Sequence, residues 1–451
     1  MTAPSALRRY LLVCFLTWLP LGLMMASMVL LLAGRGLSLA QIGLVVTVFS
    51  IVTVGLELPT GGLADVVGRR VVLAASAAFL AAALVLMSVA TTFWMFLVSG
   101  VLKGVARALS SGPATSWYVD TLHRIEGPGA DLKPGLARGG AVESVSLAAG
   151  VLAGGALPLL VPPELMFPLA APSLVGALAA AVLLVVVLLA LPEPGRGAPG
   201  GALTGPGRGA PGGALSEPAR APGSLGSVLR DVPARVASGV RLAVGGPVLR
   251  RLMLAAGSSG VMLMSIELLT PGRLAELAGT AEQGSMAYAV VAALGFAGSA
   301  TGSALAPRVA RLAGGSAKGA IAGVVLAALS VGALAATAGL GGAAGLLTAG
   351  AAYVALFVGH SVAGLLCLEM THNAVTAAER TTVSSTASLA LQSGGILGNL
   401  TLAALATQAG VAASWAVAAT VMLASALLFV RMPAPIGSSP APVLPARSGS
   451  G

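Results

Sequence analysis

Long, uninterrupted apolar stretches recur along almost the whole chain, and they are what most constrains its fold. A helix of about 20 apolar residues is long enough to cross the ~30 Å hydrocarbon core of a bilayer. The stretches predict twelve such spans, at residues 10–33, 39–60, 71–90, 93–118, 140–161, 165–191, 248–271, 284–306, 318–338, 343–370, 382–408 and 411–431. Their apolar residues are continuous rather than alternating, which excludes a transmembrane β-barrel. The predicted fold class is an all-α membrane protein with twelve transmembrane helices in two six-helix halves.

The composition supports this class and narrows the chemistry. The chain is 57% hydrophobic with a mean hydropathy of +0.95, far above the balance of a soluble domain. Its two cysteines, Cys14 and Cys367, lie inside apolar spans and are typical of small core residues rather than of a disulfide framework. The sequence shows no metal-ligand spacing, nucleophile motif or phosphate-binding loop. We therefore expect no metal, no cofactor and no enzymatic activity.

The basic residues predict the orientation of the spans. If the N-terminus is cytoplasmic, all but four of the 25 Lys and Arg residues fall in cytoplasmic segments; the exceptions are Arg35 and Arg273 in outer loops and Lys103 and Arg107 within the fourth span. Both termini are then cytoplasmic. The net charge of +10 would face anionic lipid head groups, so we expect a lipid bilayer and no nucleic acid as partner. The excess of Arg over Lys, with abundant Ala and Gly, is typical of a GC-rich bacterium and indicates its plasma membrane.

The chain divides into an N-terminal half at 1–191, a linker at 192–247, a C-terminal half at 248–431 and a disordered cytoplasmic tail at 432–451. The linker begins with a Gly- and Pro-rich stretch, in which one nine-residue string occurs at 195–203 and again at 207–215. Such a stretch predicts a disordered tether. Valines at every fourth residue from Val228 to Val244 then predict an amphipathic helix on the inner membrane surface. An unstructured basic linker is the alternative, because Pro233 and Gly239 weaken a helix.

A charged cluster between the second and third spans is the strongest motif of the chain. It consists of Gly62, Leu63, Ala64, Asp65, Gly68, Arg69 and Arg70. Glycines allow a tight turn, a carboxylate can face a helix N-terminus, and arginines can bridge to acids or lipid phosphates. A merely basic loop would explain the arginines but neither the aspartate nor the glycine spacing. The cluster resembles the signature loop of the major facilitator superfamily.

The resemblance implies a fold of two pseudo-symmetric six-helix bundles joined by a long cytoplasmic loop. It also implies a gate, in which Asp65 and the N-terminal end of the eleventh helix, at Arg380 to Ser385, hold the outward-facing state together. Asp120, at the inner end of the fourth span, is a plausible partner for Arg69 or Arg70 in this gate. The second half carries a degenerate copy at 304–308, in which Pro307 replaces the acid.

The chain also departs from the pattern of the superfamily. Gly100 stands where relatives carry an arginine of the fourth helix, which weakens the usual assignment of a proton relay. In the fifth span, Pro158 is displaced from the glycine and proline spacing of antiporters. Glycine pairs such as Gly150 with Gly154, and Gly298 with Gly302, are typical of close helix packing.

Two charges at membrane depth are functional candidates, because such charges are costly. Lys103 lies roughly 16 Å along its helix from Thr92, near the midplane, and Arg107 lies one turn deeper on the same face. The resemblance places this helix beside a central cavity. We therefore expect Lys103 and Arg107 to bind an anionic group of the substrate or to tune a nearby carboxylate. The alternative is that they snorkel or pair structurally.

Other intramembrane residues leave more than one interpretation open. His360, in the tenth span, is either a proton carrier or a hydrogen-bonded packing residue. We expect the cavity aromatics to come from Trp18, Phe15, Tyr353 and Phe357. Four glutamates are predicted near helix ends: Glu57, Glu143 and Glu369 near inner ends, and Glu267 near the outer end of the seventh span. We expect each of them to be paired structurally or solvated at the membrane interface.

These features predict a secondary transporter that moves a small solute by alternating access. By analogy with bacterial relatives that share the loop, we expect proton-coupled efflux of a drug-like or metabolite molecule, by a monomer. Proton-coupled uptake, or facilitated diffusion of a small and potentially anionic solute, is the first alternative. A membrane sensor or scaffold without transport activity is an alternative of another class.

Overall fold

A computed structural model describes residues 1–127, 129–192, 241, 245–376 and 379–432. The side chains of residues 58–62, 64–66 and 380–382 are outside this description. The Gly- and Pro-rich tether, nearly all of the predicted amphipathic helix at 228–244 and the tail beyond residue 432 also lie outside the described residues.

The N-terminal half consists of eight helices that make six crossings of the bundle. They are α1 (Ala3–Met25), α2 (Met28–Gly34), α3 (Leu39–Val67), α4 (Arg69–Val89), α5 (Phe93–Ser110), α6 (Pro113–Glu126), α7 (Lys133–Leu160) and α8 (Ala171–Ala190). The first crossing is formed by α1 with α2, and the fourth by α5 with α6.

The C-terminal half repeats the six crossings with single helices. They are α9 (Pro247–Ala278), α10 (Ala281–Ala313), α11 (Ser316–Ala336), α12 (Gly342–Asn373), α13 (Arg380–Ala409) and α14 (Val411–Ser425). In the described part of the chain, twelve helical stretches are long and apolar enough to cross a membrane, and no strand occurs. The predicted all-α fold with twelve spans is confirmed.

Two predicted spans are broken helices. The first begins at Ala3, so Arg8 and Arg9 lie inside α1 rather than before it, and it is interrupted at residues 26–27. The fourth is interrupted at Ser111 and Gly112, where Gly112 has a φ of 98° and Pro113 starts the next helix. Proline lacks the N–H that a continuous helix requires, and glycine accepts the positive φ without strain. Hydropathy is continuous across both breaks, which is why the sequence did not indicate them.

The motif between the second and third spans was predicted to be a loop, and this was wrong. Helix α3 continues to Val67, so Gly61 and Gly62 are helical, and the chain turns at Gly68 alone. Gly68 has φ 108° and ψ 141°, a conformation that favours glycine. Polar residues beyond the bilayer need no loop, because a helix satisfies its own backbone in water as well as in lipid.

The bundle has two ends that differ in charge. We call the end where α3 meets α4 and α10 meets α11 the basic end, because it carries Arg69, Arg70, Arg308 and Arg311. The end where α2 meets α3 and α7 meets α8 is the opposite end. The basic end and the opposite end are defined in the same way for every helix of the bundle.

The two halves touch mainly through two helix pairs, α3 with α13 and α7 with α10. Both pairs are tightest toward the opposite end. A Cβ atom on Gly43 of α3 would lie 2.6 Å from the carbonyl oxygen of Asn399 in α13, and one on Gly155 of α7 would lie 2.9 Å from that of Ser285 in α10. A side chain at either glycine would push the helices apart, so these glycines let the halves close at the opposite end.

Within each half, glycines and arginines hold neighbouring helices together. Gly154 of α7 packs on the backbone of Leu23 in α1, and a Cβ atom on Gly298 of α10 would lie 3.0 Å from the carbonyl oxygen of Val354 in α12. The predicted packing role of these glycines is confirmed. Arg9 of α1 donates to the carbonyl oxygen of Ala190 at the end of α8 (2.6 Å), which ties the first and last helices of the N-terminal half together. Arg251 of α9 makes the equivalent contact in the other half, with the carbonyl oxygen of Val430 just after α14 (3.1 Å).

Candidate functional site

A cavity of about 290 Å³ lies between the two halves, bounded by α3, α5 and α13. The cavity lies toward the basic end from the contact at Gly43, because Thr53 and Glu57 follow Gly43 along α3. All the described lining residues except Leu391 are polar or charged; the others are Thr53, Glu57, Arg107, Ser111, Ser388 and Gln392. The cavity therefore offers hydrogen-bonding groups from both halves to the same occupant.

Arg107 is the cation of this cavity. Its guanidinium carbon lies 4.6 Å from the centre of the Trp18 ring, so α1 supports the planar group from one side. Glu57 and Glu143 interact with it electrostatically. No carboxylate oxygen lies within 4.0 Å of the guanidinium among the described side chains. The donors of Arg107 are thus oriented by packing and remain available to the cavity.

Glu57 lies in the same cavity and is exposed to it. Its carboxylate accepts a hydrogen bond from the hydroxyl of Ser111 (3.1 Å), a residue at the break between α5 and α6. Structural pairing, one of the two interpretations of Glu57, is thus confirmed, although α3 extends ten residues beyond it.

Lys103 lies one turn from Arg107 but not in this cavity. It is 8% exposed. Its Nζ lies 3.3 Å from the Met28 sulfur, 3.6 Å from the Met24 sulfur and 5.3 Å from the centre of the Phe49 ring. Within the described residues, no carboxylate oxygen lies within 4.0 Å of it. The predicted basic stripe is thus divided between a solvated cavity and an apolar pocket at the break between α1 and α2.

Tyr353 was expected in the cavity and is instead a packing residue. It is 1% exposed, its ring stands edge-on to Tyr288 with centroids 6.1 Å apart, and Phe357 packs on it at 4.9 Å. Trp18, in contrast, is half-buried and reaches the cavity through its contact with Arg107. Of the four predicted cavity aromatics, Trp18 therefore reaches the cavity, whereas Tyr353 packs against Tyr288 and Phe357.

Glu267 was predicted near the outer end of its helix and lies farther from that end than expected. Helix α9 continues for eleven residues beyond it, to Ala278. Its side chain is exposed, although Ser265, Ile266 and Leu268 around it are buried, and it interacts electrostatically with Tyr288 and Tyr353. Glu267 is therefore a charged candidate of the C-terminal half that acts electrostatically on two buried tyrosines.

His360 lies on α12 and is partly buried. Its Nδ1 is buried without a hydrogen-bond partner among the described residues. The structure thus gives no support for the interpretation of His360 as a hydrogen-bonded packing residue. Ser361, which follows it, bonds to Ser299 of α10 (2.6 Å), so this segment contacts its neighbour through a hydroxyl pair.

At the basic end, the predicted gate residues pair within the N-terminal half. Arg69 donates to the carboxylate of Asp120 and to the carbonyl oxygen of Ser116, both on α6. Arg70 donates to the carbonyl oxygen of Leu188 near the end of α8. The predicted pairing of Asp120 with one of the two arginines is confirmed for Arg69, whereas the side chains of Gly62 and Asp65 lie outside the described ones.

The remaining glutamate at this end, Glu369, accepts a hydrogen bond from Ser316 at the start of α11 (3.0 Å). Glu143 is half-buried on α7 and acts on Arg107 through its charge. Structural pairing is thus confirmed for Glu369, while Glu143 contributes to the electrostatics of the cavity.

Comparison with known proteins identifies the family. The sequence model described as the Major Facilitator Superfamily matches residues 10–399. The chain belongs to the major facilitator superfamily. It is a membrane transporter of this type and an integral, multi-pass membrane protein.

Solved structures of this superfamily share the fold at low sequence identity. The nucleoside transporter NupG is 13% identical, with a TM-score of 0.73 over 95% of this chain and 98% of that one. A bacterial homologue of the human lysosomal transporter Spinster, in an inward-facing and unoccupied conformation, is 16% identical with a TM-score of 0.68, covering 95% of both chains. A transporter of the POT family, in complex with a thioalcohol-conjugated peptide, is 14% identical with a TM-score of 0.64 over 94% of this chain and 95% of that one. No curated protein sequence matches the chain.

Several cavity residues of this superfamily member were missed by sequence reasoning. They are Thr53, Ser111, Ser388 and Gln392. Ser388 and Gln392 are four residues apart on α13 and so share one helix face. This spacing was the available signal in the sequence, but the helix carries many other serines and threonines that are not among the described lining residues of the cavity.

Proposed function

We propose that this superfamily member is a secondary transporter that moves a small solute by alternating access. One observation carries the proposal. The halves are in close contact at glycines of the opposite end, and a polar cavity that contains Arg107 lies between them toward the basic end. Rocking of the two halves would exchange which end is closed while the cavity residues stay near the midplane.

The gate belongs to the same proposal. Gly62, Asp65, Gly68, Arg69, Arg70 and Asp120 would set the balance between the two conformations. The pairing of Arg69 with Asp120 holds α4 and α6 together inside the N-terminal half while the basic end is open. In the other state, we expect Asp65 to meet the N-terminal end of α13 from the second half.

The proposed location is the plasma membrane of a bacterium, with both termini and the basic end in the cytoplasm. The distribution of Lys and Arg supports this orientation. The conformation described above would then be open to the cytoplasm.

We assign proton coupling to Lys103, with His360 as a second candidate. A buried ammonium without an anionic partner is costly, so desolvation of Lys103 is linked to closure of the opposite end. Opening that end would separate Met24 and Met28 from Lys103 and admit water. The proposed direction is efflux, which rests on the resemblance of the signature loop alone.

Reconstitution into liposomes tests this function. The purified protein is placed in vesicles with and without a pH gradient and given a panel of radiolabelled metabolites and drugs. We expect flux of at least one solute, driven outward by an inward proton gradient and lost as a gradient response in Lys103→Met. The matched control is Lys318→Met, which removes an exposed lysine at the start of α11.

Other results of the liposome experiment would each indicate a different function. Accumulation in the same direction as protons would indicate uptake, and flux without response to the gradient would indicate facilitated diffusion. A protein that binds ligands but moves none of them would be a sensor or scaffold, and this result would contradict the proposal.

A further inference from the structure

We propose that the solute is a small monocarboxylate that also carries hydroxyl or amide groups, with its carboxylate bound to Arg107 and its polar groups bound to α13. This inference rests on the proposed transport function and names the substrate class of the same cavity. It is carried by the surroundings of the Arg107 guanidinium, by the charges that line the cavity and by the polar groups of the facing wall.

Arg107 offers the cavity a planar set of hydrogen-bond donors. Its guanidinium carbon lies 4.6 Å from the centre of the Trp18 ring, and this contact supports the planar group. Its side chain makes no hydrogen bond, and has no carboxylate oxygen within 4.0 Å, among the described residues. A carboxylate accepts two parallel hydrogen bonds from a guanidinium, so a planar anionic group matches these donors.

The carboxylates around Arg107 act on it from a distance. Glu57 and Glu143 interact with the guanidinium electrostatically, but neither lies within the 4.0 Å of an ion pair. A bound carboxylate would approach the guanidinium to about 2.8 Å. Attraction between opposite charges grows as their separation shortens, so the solute can make the closest and strongest contact with Arg107.

The charges of the cavity favour a solute with one negative charge. Arg107 is the single cation among the described residues that line it. A second carboxylate on the solute would have no lining cation to contact there and would be repelled by Glu143, which acts on the same region. A phosphate monoester carries close to two negative charges near neutral pH and would meet the same repulsion. A monocarboxylate is therefore favoured over a dicarboxylate and over a phosphate.

The other half of the molecule contributes hydrogen bonds rather than charge. Ser388 and Gln392 of α13 line the cavity, and neither side chain has a hydrogen-bond partner among the described residues. The hydroxyls of Thr53 and Ser111, in contrast, already donate to other groups of the protein. A hydroxyl or amide group of the solute can both donate to and accept from the two side chains of α13. Such a solute would bridge the two halves, which couples occupancy of the cavity to their movement.

The size and lining of the cavity argue against a large apolar drug. Its volume of about 290 Å³ is at or below the low end of the ~300–1,000 Å³ found for sites of drug-sized ligands. Such sites are lined mainly by apolar and aromatic side chains, whereas Leu391 is the single apolar residue among the described ones that line this cavity. The metabolite branch of the expected substrates is therefore favoured over the drug-like branch.

The test uses the full-length protein and matched forms of each ligand. Lactate, glycerate, hydroxybutyrate and succinamate are each compared with the carboxamide, which removes the charge, and with the corresponding dicarboxylate, which adds one. Glycerol phosphate represents the phosphates. Binding is measured as the ligand-dependent rise in melting temperature in detergent, and transport as competition for uptake into liposomes. We expect at least one of the acids to bind about tenfold or more tightly than its carboxamide, its dicarboxylate and glycerol phosphate.

Variants assign the carboxylate to Arg107. Arg107→Gln should weaken binding of the acid by about tenfold or more and leave binding of its carboxamide unchanged. Glu143→Gln removes a negative charge that acts on Arg107, so it should strengthen binding of the acid by up to about fivefold. Arg311→Gln, which removes an exposed cation at the basic end, is the control and should change neither ligand.

A further variant assigns the polar groups of the solute to α13. Gln392→Leu should weaken binding of lactate and leave binding of propionate, which lacks the hydroxyl group, unchanged. Equal losses for the two acids would contradict this part of the assignment. Because the comparison of ligands uses the unaltered protein, misfolding of a variant does not prevent the test.

The outcomes separate the two proposals. Equal binding of each acid and its carboxamide, tighter binding of the dicarboxylates or of glycerol phosphate, or stabilisation by none of the acids would overturn the monocarboxylate assignment, while liposome flux of another solute would still support transport. Weaker binding of the acid by Glu143→Gln would overturn the placement of its carboxylate beside Arg107. Tight binding of a monocarboxylate without flux of any solute would support the assignment of the site and contradict the transport function.

Discussion

The cavity wall around Arg107 and the apolar pocket around Lys103 are one helical turn apart on α5 and differ in almost every respect. Arg107 lies on an aromatic ring in a cavity with carboxylates nearby, whereas Lys103 is enclosed by two thioethers and a phenyl ring. The boundary between the solvated and the dry part of the bundle therefore passes between these two residues. Two like charges one turn apart on the same helix can therefore have very different surroundings.

The largest expected effect on transport comes from substituting Arg107 in the cavity. Arg107→Gln removes a charge that would bind the solute directly, at a cost of about 3 kcal/mol for charge-assisted hydrogen bonds, or ~100-fold in kcat/KM for transport. Lys103→Gln should leave the affinity for the solute within about threefold of the unaltered protein. Initial rates of uptake into liposomes measure both. Equal losses of affinity in the two variants would mean that the two regions act as one site.

The next largest effect concerns the contact between the two halves at the opposite end, near the apolar pocket of Lys103. Gly43→Val places a side chain where a Cβ atom would be 2.6 Å from the Asn399 carbonyl oxygen, so closure of the opposite end should become unfavourable by about 1–3 kcal/mol. We expect transport to fall about tenfold and a cysteine placed at Lys103 to react with water-soluble maleimide.

Gly55→Val is the matched control, because it lies on the same helix with no atom within 4 Å of its would-be Cβ. It should leave both transport and labelling unchanged. Labelling that is the same in both variants would show that closure does not depend on the contact at Gly43.

A smaller effect is expected where the basic end opens. Asp120→Asn removes the partner of Arg69, but the Asp120 side chain is 54% exposed and a screened ion pair contributes only about 0–1 kcal/mol. The ratio of the two conformations, measured by distance between spin labels across the basic end, should change by less than about fivefold. Glu276→Gln, which removes the exposed ion pair with Arg273, should not change it. A shift larger than tenfold would show that Asp120 contacts more than Arg69 during transport.

The smallest effect is a local dependence on pH between α12 and α13. Hydrogen bonds from the side chain and backbone of Thr376 lower the pKa of Glu379 below its ordinary value of 4.5. A lowered folded pKa means that the contribution to stability is complete above pH 4.5 and is lost as the pH falls through the lower value. Thr376→Ala should raise the pKa of Glu379 toward 4.5, as measured by NMR titration of the labelled carboxylate. An unchanged pKa of Glu379 would show that the hydrogen bond from the backbone N–H is enough to stabilise the carboxylate.

The sequence predicted the spans well, because hydropathy reports directly whether a segment can lie in lipid. It also placed Lys103 at membrane depth and Asp120 beside the arginines of the motif. It did not predict that Lys103 and Arg107 have different surroundings. Spacing along a helix shows which residues share a face, but not which groups pack against that face. The helix breaks at residues 26–27 and 111–112 decide those surroundings, and both are apolar or small in sequence.

The ends of two helices were misjudged for a related reason. The predicted spans end where hydropathy fades, but α3 continues to Val67 and α9 to Ala278. Glu57 and Glu267 therefore lie ten and eleven residues before the ends of their helices. Helices of a bundle can extend past the bilayer, so the loss of hydropathy marks the membrane surface and not the end of the helix.

The arginines that join the first and last helices of each half also bear on how the molecule can be handled. Arg9 holds α1 to α8, and Arg251 holds α9 to the segment after α14, so each half is a closed ring of six crossings. A covalent crosslink between the first and last helices of either half should leave transport unchanged. The same crosslink between α3 and α13 should arrest the molecule in one state, which would make it a means of trapping a single conformation for structural study.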